Sequence, residues 1–141
     1  MVTTVGHRIY KTWDPITSLR ISKLDKRIQK PTQEFINDAY SQNIKLRLIQ
    51  GLRTFDEQND LYAQGRTKSG KKVTNAKGGQ SYHNYGLAVD VAPIENGEIN
   101  WNGDWTKISE IGMNHGFEWG GNFHSIKDNP HFQITFGLKL H

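Results

Sequence analysis

The chain has 141 residues, 35% apolar and 23% charged, with four tryptophans, so a single globular domain with its own core is expected and a disordered chain is excluded. Cysteine is absent, which removes disulfides, thiolate-held zinc and thiol nucleophiles. The net charge of +4 favours polyanions (nucleic acid, acidic membrane, or a surface rich in carboxylate and phosphate) without choosing among them, and no apolar run approaches the roughly 20 residues of a membrane span.

Residues 1–13 show no periodicity and read as a loose N-terminal arm or edge strand. Asp14-Pro15 joins an N-cap to a proline at the first helical position, opening a short helix that should turn Ile16, Leu19 and Leu24 inward. A second helix starting at Lys26 or Pro31 and running to Gln42 carries Phe35, Ile36, Ala39 and Tyr40 at helical spacing. Residues 44–51 alternate apolar and polar as a half-buried strand does, and Arg53 follows the strand's end. Thr54 and Glu57 make a capping-box pattern, so a helix is expected from Phe55 to Gln64 with Gly65 closing it.

From Gly65 to Gln80 runs a loop with four glycines and five basic residues, Arg66, Lys68, Lys71, Lys72 and Lys77. It lacks the phosphate-loop pattern and reads either as a solvated loop or as the rim of a site. Leu87 to Val91 is apolar and β-branched like a buried strand, entered through a tight turn at Gly86. A turn at 95–98 precedes a helix from Trp105 to Asn114, with Ile108, Ile111 and Met113, that stops at Gly116. Residues 117–121 suggest a short strand, and His131 to Phe136 another that could lie beside the Leu87–Val91 strand. No internal repeat or second domain is visible.

Two imidazoles and a carboxylate stand out. His83 precedes the buried strand. Asp90 sits within it, where a carboxylate is costly unless paired or metal-bound. His131 follows Asp128-Asn129-Pro130, whose proline stiffens the approach. Three N/O ligands with a fourth position open are typical of catalytic zinc. His115 and His124 compete as third ligands, although a histidine near a helix C-terminus, as at 115, is often explained by the macrodipole alone. His7 and His141 lie near the chain ends and are poor candidates. The helical His-Glu-x-x-His motif is missing, which disfavours a thermolysin-like site. Hydrolysis also needs a carboxylate to move protons, and Asp128 and Glu118 are the candidates. Arg53 reads either as a surface ion-pair partner or as a permanently charged donor facing the site.

Ser81-x-His83-x-x-Gly86-x-Ala88-x-Asp90, answered by Asp128-x-Pro130-His131, resembles the zinc peptidases that include D-Ala-D-Ala dipeptidases and carboxypeptidases, L-alanyl-D-glutamate endopeptidases and the hedgehog-like fold. The nearest resemblance is to the L-alanyl-D-glutamate endopeptidases of phage endolysins and bacterial wall-lytic enzymes, from about Leu24 to Phe136. It implies an α+β fold in which helices pack on a small, mainly antiparallel sheet, as one peptidase domain over 1–141 without a separate wall-binding domain. It implies zinc held by His83, Asp90 and His131, with Asp128 as the proton-transferring base and Arg53 stabilising the reacting carbonyl. Gln58 and Ser81 are then supports of the site, and Tyr82 and His124 contacts around it.

The activity so implied is antibacterial hydrolysis of peptidoglycan stem peptides at the L-alanyl-D-glutamate bond. The alternatives are a D-Ala-D-Ala carboxypeptidase or dipeptidase, and a non-catalytic zinc-containing wall-binding domain. The expected state is a monomer that takes stem peptides as partners, with neither nucleic acid bound nor membrane insertion. The N-terminal run lacks the basic segment and apolar core of a signal peptide. Synthesis in the cytoplasm is therefore expected, with action on the wall or periplasm after release or export by another system.

Overall fold

The computed structural model describes residues 10–124 and 126–140. Within them lie helices α1 (Pro15–Ile21), α2 (Lys26–Ser41), α3 (Phe55–Ala63) and α4 (Trp105–Asn114) and strands β1 (Leu46–Gln50), β2 (Ala88–Glu95), β3 (Glu98–Ile99), β4 (Glu118–Trp119) and β5 (His131–Gln133). The sheet order is β1-β2-β5-β4, every pair antiparallel, with β3 folded back on β2. This is the expected α+β architecture. Among the described residues no helix is long and apolar enough to cross a membrane.

The core forms where α2 and α4 meet the sheet. Ile28, Phe35, Ile36 and Ala39 of α2 and Ile108 and Ile111 of α4 bury against Leu46, Leu48, Val89, Val91 and Phe132. Phe35 and Phe132 meet edge to face with centroids 4.9 Å apart, a favoured aromatic geometry. Gly112 makes the approach of α4 possible, because a Cβ there would stand 2.6 Å from the Phe132 ring.

Several local expectations hold. The Thr54–Glu57 capping box is formed in both directions, and α4 spans the residues expected of it. Asn96 and Gly97 take positive φ in the turn between β2 and β3, as a tight antiparallel hairpin requires. α2 starts at Lys26, because the Asp25 side chain caps it by accepting from the Arg27 N–H. Pro31 lies inside the helix.

Other expectations are corrected. Ile16 and Leu19 point outward, 44% and 63% exposed, while Thr17 and Ile21 are buried. The rotation of α1 is set by polar ties. The Asp14 carboxylate accepts from Arg47 Nε at 2.8 Å and from Thr17 Oγ1 at 2.7 Å, and Thr17 Oγ1 accepts from the Leu48 N–H. Leu24 is buried, but in the link to α2. Tyr40 is 48% exposed and stacks on Trp13, and Met113 is also exposed. β5 ends at Gln133, and Phe136, at positive φ, lies beneath the Arg27 guanidinium.

Of the expected loose arm, residues 1–9 lie outside the described residues, as does His141. From Tyr10 onward the chain is tied down: Tyr10 is buried with its hydroxyl on Gln29, and Trp13 Nε1 donates to the Leu46 carbonyl.

The Asp14 ties carry a pH signature. Burial opposes the charge on Asp14, but hydrogen bonds from Arg47 and Thr17 outweigh it and hold the carboxyl below its ordinary value. Stability from a depressed carboxylate is present above its unfolded pKa, about 3.9, and is lost as pH falls through the folded value. Asp14→Asn should cost on the order of 2 kcal/mol at neutral pH, the scale of a charged hydrogen bond. Urea unfolding of parent and variant should show that gap closing below about pH 4.

Candidate metal centre

β2 and β5 pair with Asp90 directly opposite His131, so both side chains leave the same face of the sheet. His83 arrives from a 3₁₀ turn, Tyr82–Tyr85, just ahead of β2. Ser81 caps this turn by accepting from the His83 N–H, and Gly86 ends it in the left-handed region. A Cβ on Gly86 would stand 2.6 Å from the Asp25 nitrogen, so the turn can lie against the start of α2 only with glycine there.

His83 Nε2 thereby comes within 3.2 Å of Asp90 Oδ1, and His131 Nδ1 within 3.3 Å of the same oxygen. One candidate ligand atom from each of the three residues lies within 4.8 Å of the others. The opposite nitrogen of each ring is also engaged. His83 Nδ1 is 2.8 Å from the Gly51 carbonyl oxygen, and His131 Nε2 is 2.7 Å from Gln133 Oε1. The Gly51 oxygen can only accept, which places the His83 hydrogen on Nδ1 and leaves the Nε2 lone pair facing Asp90, the orientation a metal-bound histidine needs. Two imidazoles and a carboxylate are the donor set of catalytic zinc, and they fit that ion.

The electrostatics are those of a shared anion. Burial opposes the charge of Asp90, yet His83 and His131 hold it well below the usual carboxylate range. Burial also pulls His131 down, but the neighbouring Asp90 carboxylate carries it above an ordinary imidazole.

Arg53 leaves the end of β1 and reaches the same place. Its Nη2 is 3.6 Å from Asp90 Oδ2, and its Nη1 donates to Gln58 Oε1 at 2.8 Å. Gln58 is fully buried on α3, with its amide nitrogen on the Ala76 carbonyl, so it clamps Arg53 and the following loop together. Burial lowers the Arg53 pKa, against Asp90, Glu57 and Asp128, which favour the cation. Asp128 lies at a turn closed by the His131 N–H on its carbonyl, and its Oδ2 is 3.9 Å from His131 Nδ1. Its surroundings in the cleft and the charge of Asp90 raise its pKa.

These groups open into a cleft of about 650 Å³ lined also by Ser81, Tyr82, Phe123, Ile126 and Lys127. Loop residues 71–76 also line it, so this part of the basic loop is a rim, bearing Lys71 and Lys72. Tyr82 also donates its hydroxyl to the Leu138 carbonyl. His124 is exposed and is not among the residues lining the cleft. His115 is drawn away to α2, its Nε2 2.8 Å from Asp38 Oδ2. Glu118 lies outside the cleft lining, on β4.

Two buried amides were not singled out from the sequence. Asn84 donates to the Arg53 and Thr54 carbonyls and accepts from the Gly79 and Ser81 N–H groups. No sequence signal separates it from an ordinary turn asparagine. Gln133 could have been found: it is two residues past His131 in a strand, hence on the same face.

A family profile described as D-alanyl-D-alanine carboxypeptidase matches residues 74–134, which include His83, Asp90, Asp128 and His131. The peptidoglycan L-alanyl-D-glutamate endopeptidase CwlK of Bacillus subtilis (strain 168) is 46% identical over 107 residues, covering 68% of this chain and 64% of that protein. By these two matches the chain is similar to D-alanyl-D-alanine carboxypeptidases and to an L-alanyl-D-glutamate endopeptidase. A second relative, the L-alanyl-D-glutamate peptidase of Listeria phage A118, is 24% identical over 120 residues, 82% of this chain and 40% of that protein. The chain thus spans a little under two thirds of the length of the first relative and well under half of the second.

Solved structures share the fold. The Serratia marcescens L-Ala D-Glu endopeptidase ChiX superposes with a TM-score of 0.67 at 22% identity, covering 86% of this chain and 88% of that one. A vancomycin-resistance D,D-pentapeptidase VanY solved with Zn(II) gives 0.62 at 20%, covering 79% and 72%.

Asn84 gives the site's framework a direct test. Asn84→Ala leaves two carbonyls and two N–H groups around Arg53 and Ser81 without their partner. Each group left buried and unsatisfied costs on the order of 1–3 kcal/mol. Denaturant unfolding should show a loss of at least that size, whereas a loss near zero would mean that water replaces the amide.

Proposed function

We propose that this chain is a zinc-dependent peptidase that hydrolyses peptidoglycan stem peptides at the L-alanyl-D-glutamate bond. The observation that carries the reading is the convergence of His83, Asp90 and His131 with Arg53 and Asp128 on one cleft. The likeness to CwlK supports the choice of bond.

His83, Asp90 and His131 would hold the ion. What zinc supplies when bound is Lewis acidity, toward water and toward a carbonyl oxygen. Asp128, beside His131 with a raised pKa, is the group to take a proton from the attacking water and hand it to the departing amine. Arg53, fixed by Gln58, offers guanidinium donors to the negative charge that develops on the carbonyl oxygen. Arg53 also sits against Asp90, so the same carboxylate orients it. Lys71, Lys72 and Lys127 on the cleft wall suit a substrate rich in carboxylates.

A D-Ala-D-Ala carboxypeptidase is the second reading, favoured by the family profile that matches the site. A binding domain without catalysis is disfavoured, because an acid and a guanidinium both face the cleft beside the cluster.

Digestion of purified peptidoglycan by the zinc-loaded protein, read by mass spectrometry, separates the three. New N-terminal D-Glu is expected, released D-Ala would mark the carboxypeptidase, and no product would leave the binding domain. His83→Ala and His131→Ala should each lose zinc, and full retention in both would remove the ligand assignment. Asp128→Asn should keep zinc and thermal midpoint while hydrolysis falls about 10²–10⁴-fold. Arg53→Ala should do likewise with a loss of about 10²–10³-fold. Unfolding of the Arg53 variant would make that arginine structural, and a fully active Asp128→Asn protein would remove Asp128 from the mechanism.

A further inference from the structure

The pairing of β4 with β5 sets Glu118 directly opposite Gln133, two residues beyond His131 on the same strand. Along one face of the sheet the order is therefore Asp90, His131, Gln133 and Glu118. Gln133 is buried, 7% exposed, and its amide is held at both ends. Its Nε2 is 3.2 Å from Glu118 Oε2, and its Oε1 is 2.7 Å from His131 Nε2.

We propose that Glu118 and Gln133 form a relay that selects the ring nitrogen His131 presents to the metal. An ionised carboxylate only accepts hydrogen bonds, so Gln133 must turn its NH₂ toward Glu118. Its carbonyl oxygen then faces His131 and accepts the Nε2–H, and the Nδ1 lone pair is left on the side of Asp90 and His83. With the amide reversed, an NH₂ would face Nε2, the ring hydrogen would move to Nδ1, and the position needed for coordination would be blocked. His83 obtains the same selection from a backbone carbonyl, which cannot flip. His131 obtains it from a side-chain amide, which can, and Glu118 removes that freedom. Glu118 is thus a positioning residue for a ligand rather than a base, and Gln133 is its intermediary. The inference rests on the zinc reading proposed above, but not on the bond that is cut.

The test is zinc affinity, measured by competition with a chromophoric chelator, for the parent, Gln133→Leu, Gln133→Glu, Glu118→Gln and the double variant Gln133→Glu/Glu118→Gln. Gln133→Leu keeps the bulk and removes the acceptor, and should weaken zinc binding by about 10–100-fold, the usual effect of losing a ligand's outer partner. Gln133→Glu restores an acceptor but sets two carboxylates against each other, so it should bind zinc less tightly than the parent. Adding Glu118→Gln returns a donor to that pair and should bring affinity back close to the parent value. A role in filling space predicts no such rescue.

Nitrogen-15 spectra of the zinc-loaded parent should show a slowly exchanging hydrogen on His131 Nε2 that is lost in Gln133→Leu. If Gln133→Leu fails to fold, the exposed Glu118→Gln and the double variant still decide the matter. Parent-like affinity in Gln133→Leu, or failure of the double variant to recover, would overturn the relay and leave the peptidase reading standing. A parent protein that binds no zinc would overturn the metal reading and the relay with it.

Discussion

The antiparallel register of β2 and β5 is the constraint on which the site depends. It sets Asp90 against His131, and because side chains alternate along a strand, a slip of one residue would send one of them to the other face. The register is held from below by the core, where Val89, Val91 and Phe132 bury against Phe35 of α2. Those residues alternate with Asp90 and His131 along the same two short strands. One face of the pair is thus apolar and locked, and the other carries the cluster. Core packing also sets the site geometry, which is why a carboxylate can be kept in a strand this buried.

Much of this was legible because the relevant signals are local. The Thr54–Glu57 box, the Gly86 turn and the α4 boundaries follow from contacts within a few residues. The clustering of His83, Asp90 and His131 was legible because they carry chemistry at recognisable spacing, with Asp128-x-Pro130 ahead of the last. What stayed hidden depends on long-range ties. The face of α1 is decided by β1, whose Arg47 side chain reaches back to Asp14 and whose Leu48 N–H donates to Thr17. Tyr40 lies outside the core, half exposed, where its ring stacks on Trp13 from the chain ahead of α1. The amides Asn84 and Gln133 look like any turn or strand amide until the groups they bridge are brought together.

Asp90 connects three positive or potentially positive groups, the two histidines and Arg53. A buried carboxylate with a single partner is costly, and removing one partner from a buried ion pair is more so. Here the charge is distributed, and each partner is anchored independently: His83 by the Gly51 carbonyl, His131 by Gln133, Arg53 by Gln58. The cluster is organised by the protein's own hydrogen bonds before any ion is considered. None of the three clustered residues belongs to the apolar core.

The loop wall follows from the same economy of anchors. Residues 71–76 contribute to the cleft without belonging to a helix or strand, and their position is set from the scaffold side by Gln58, which reaches the Ala76 carbonyl while holding Arg53. One buried amide on α3 therefore ties a cationic rim to the guanidinium nearest the cluster. Displacing the rim would strain the Arg53 clamp, and moving Arg53 would loosen the rim. The rim and the Arg53 guanidinium therefore share one anchor, the buried Gln58 side chain.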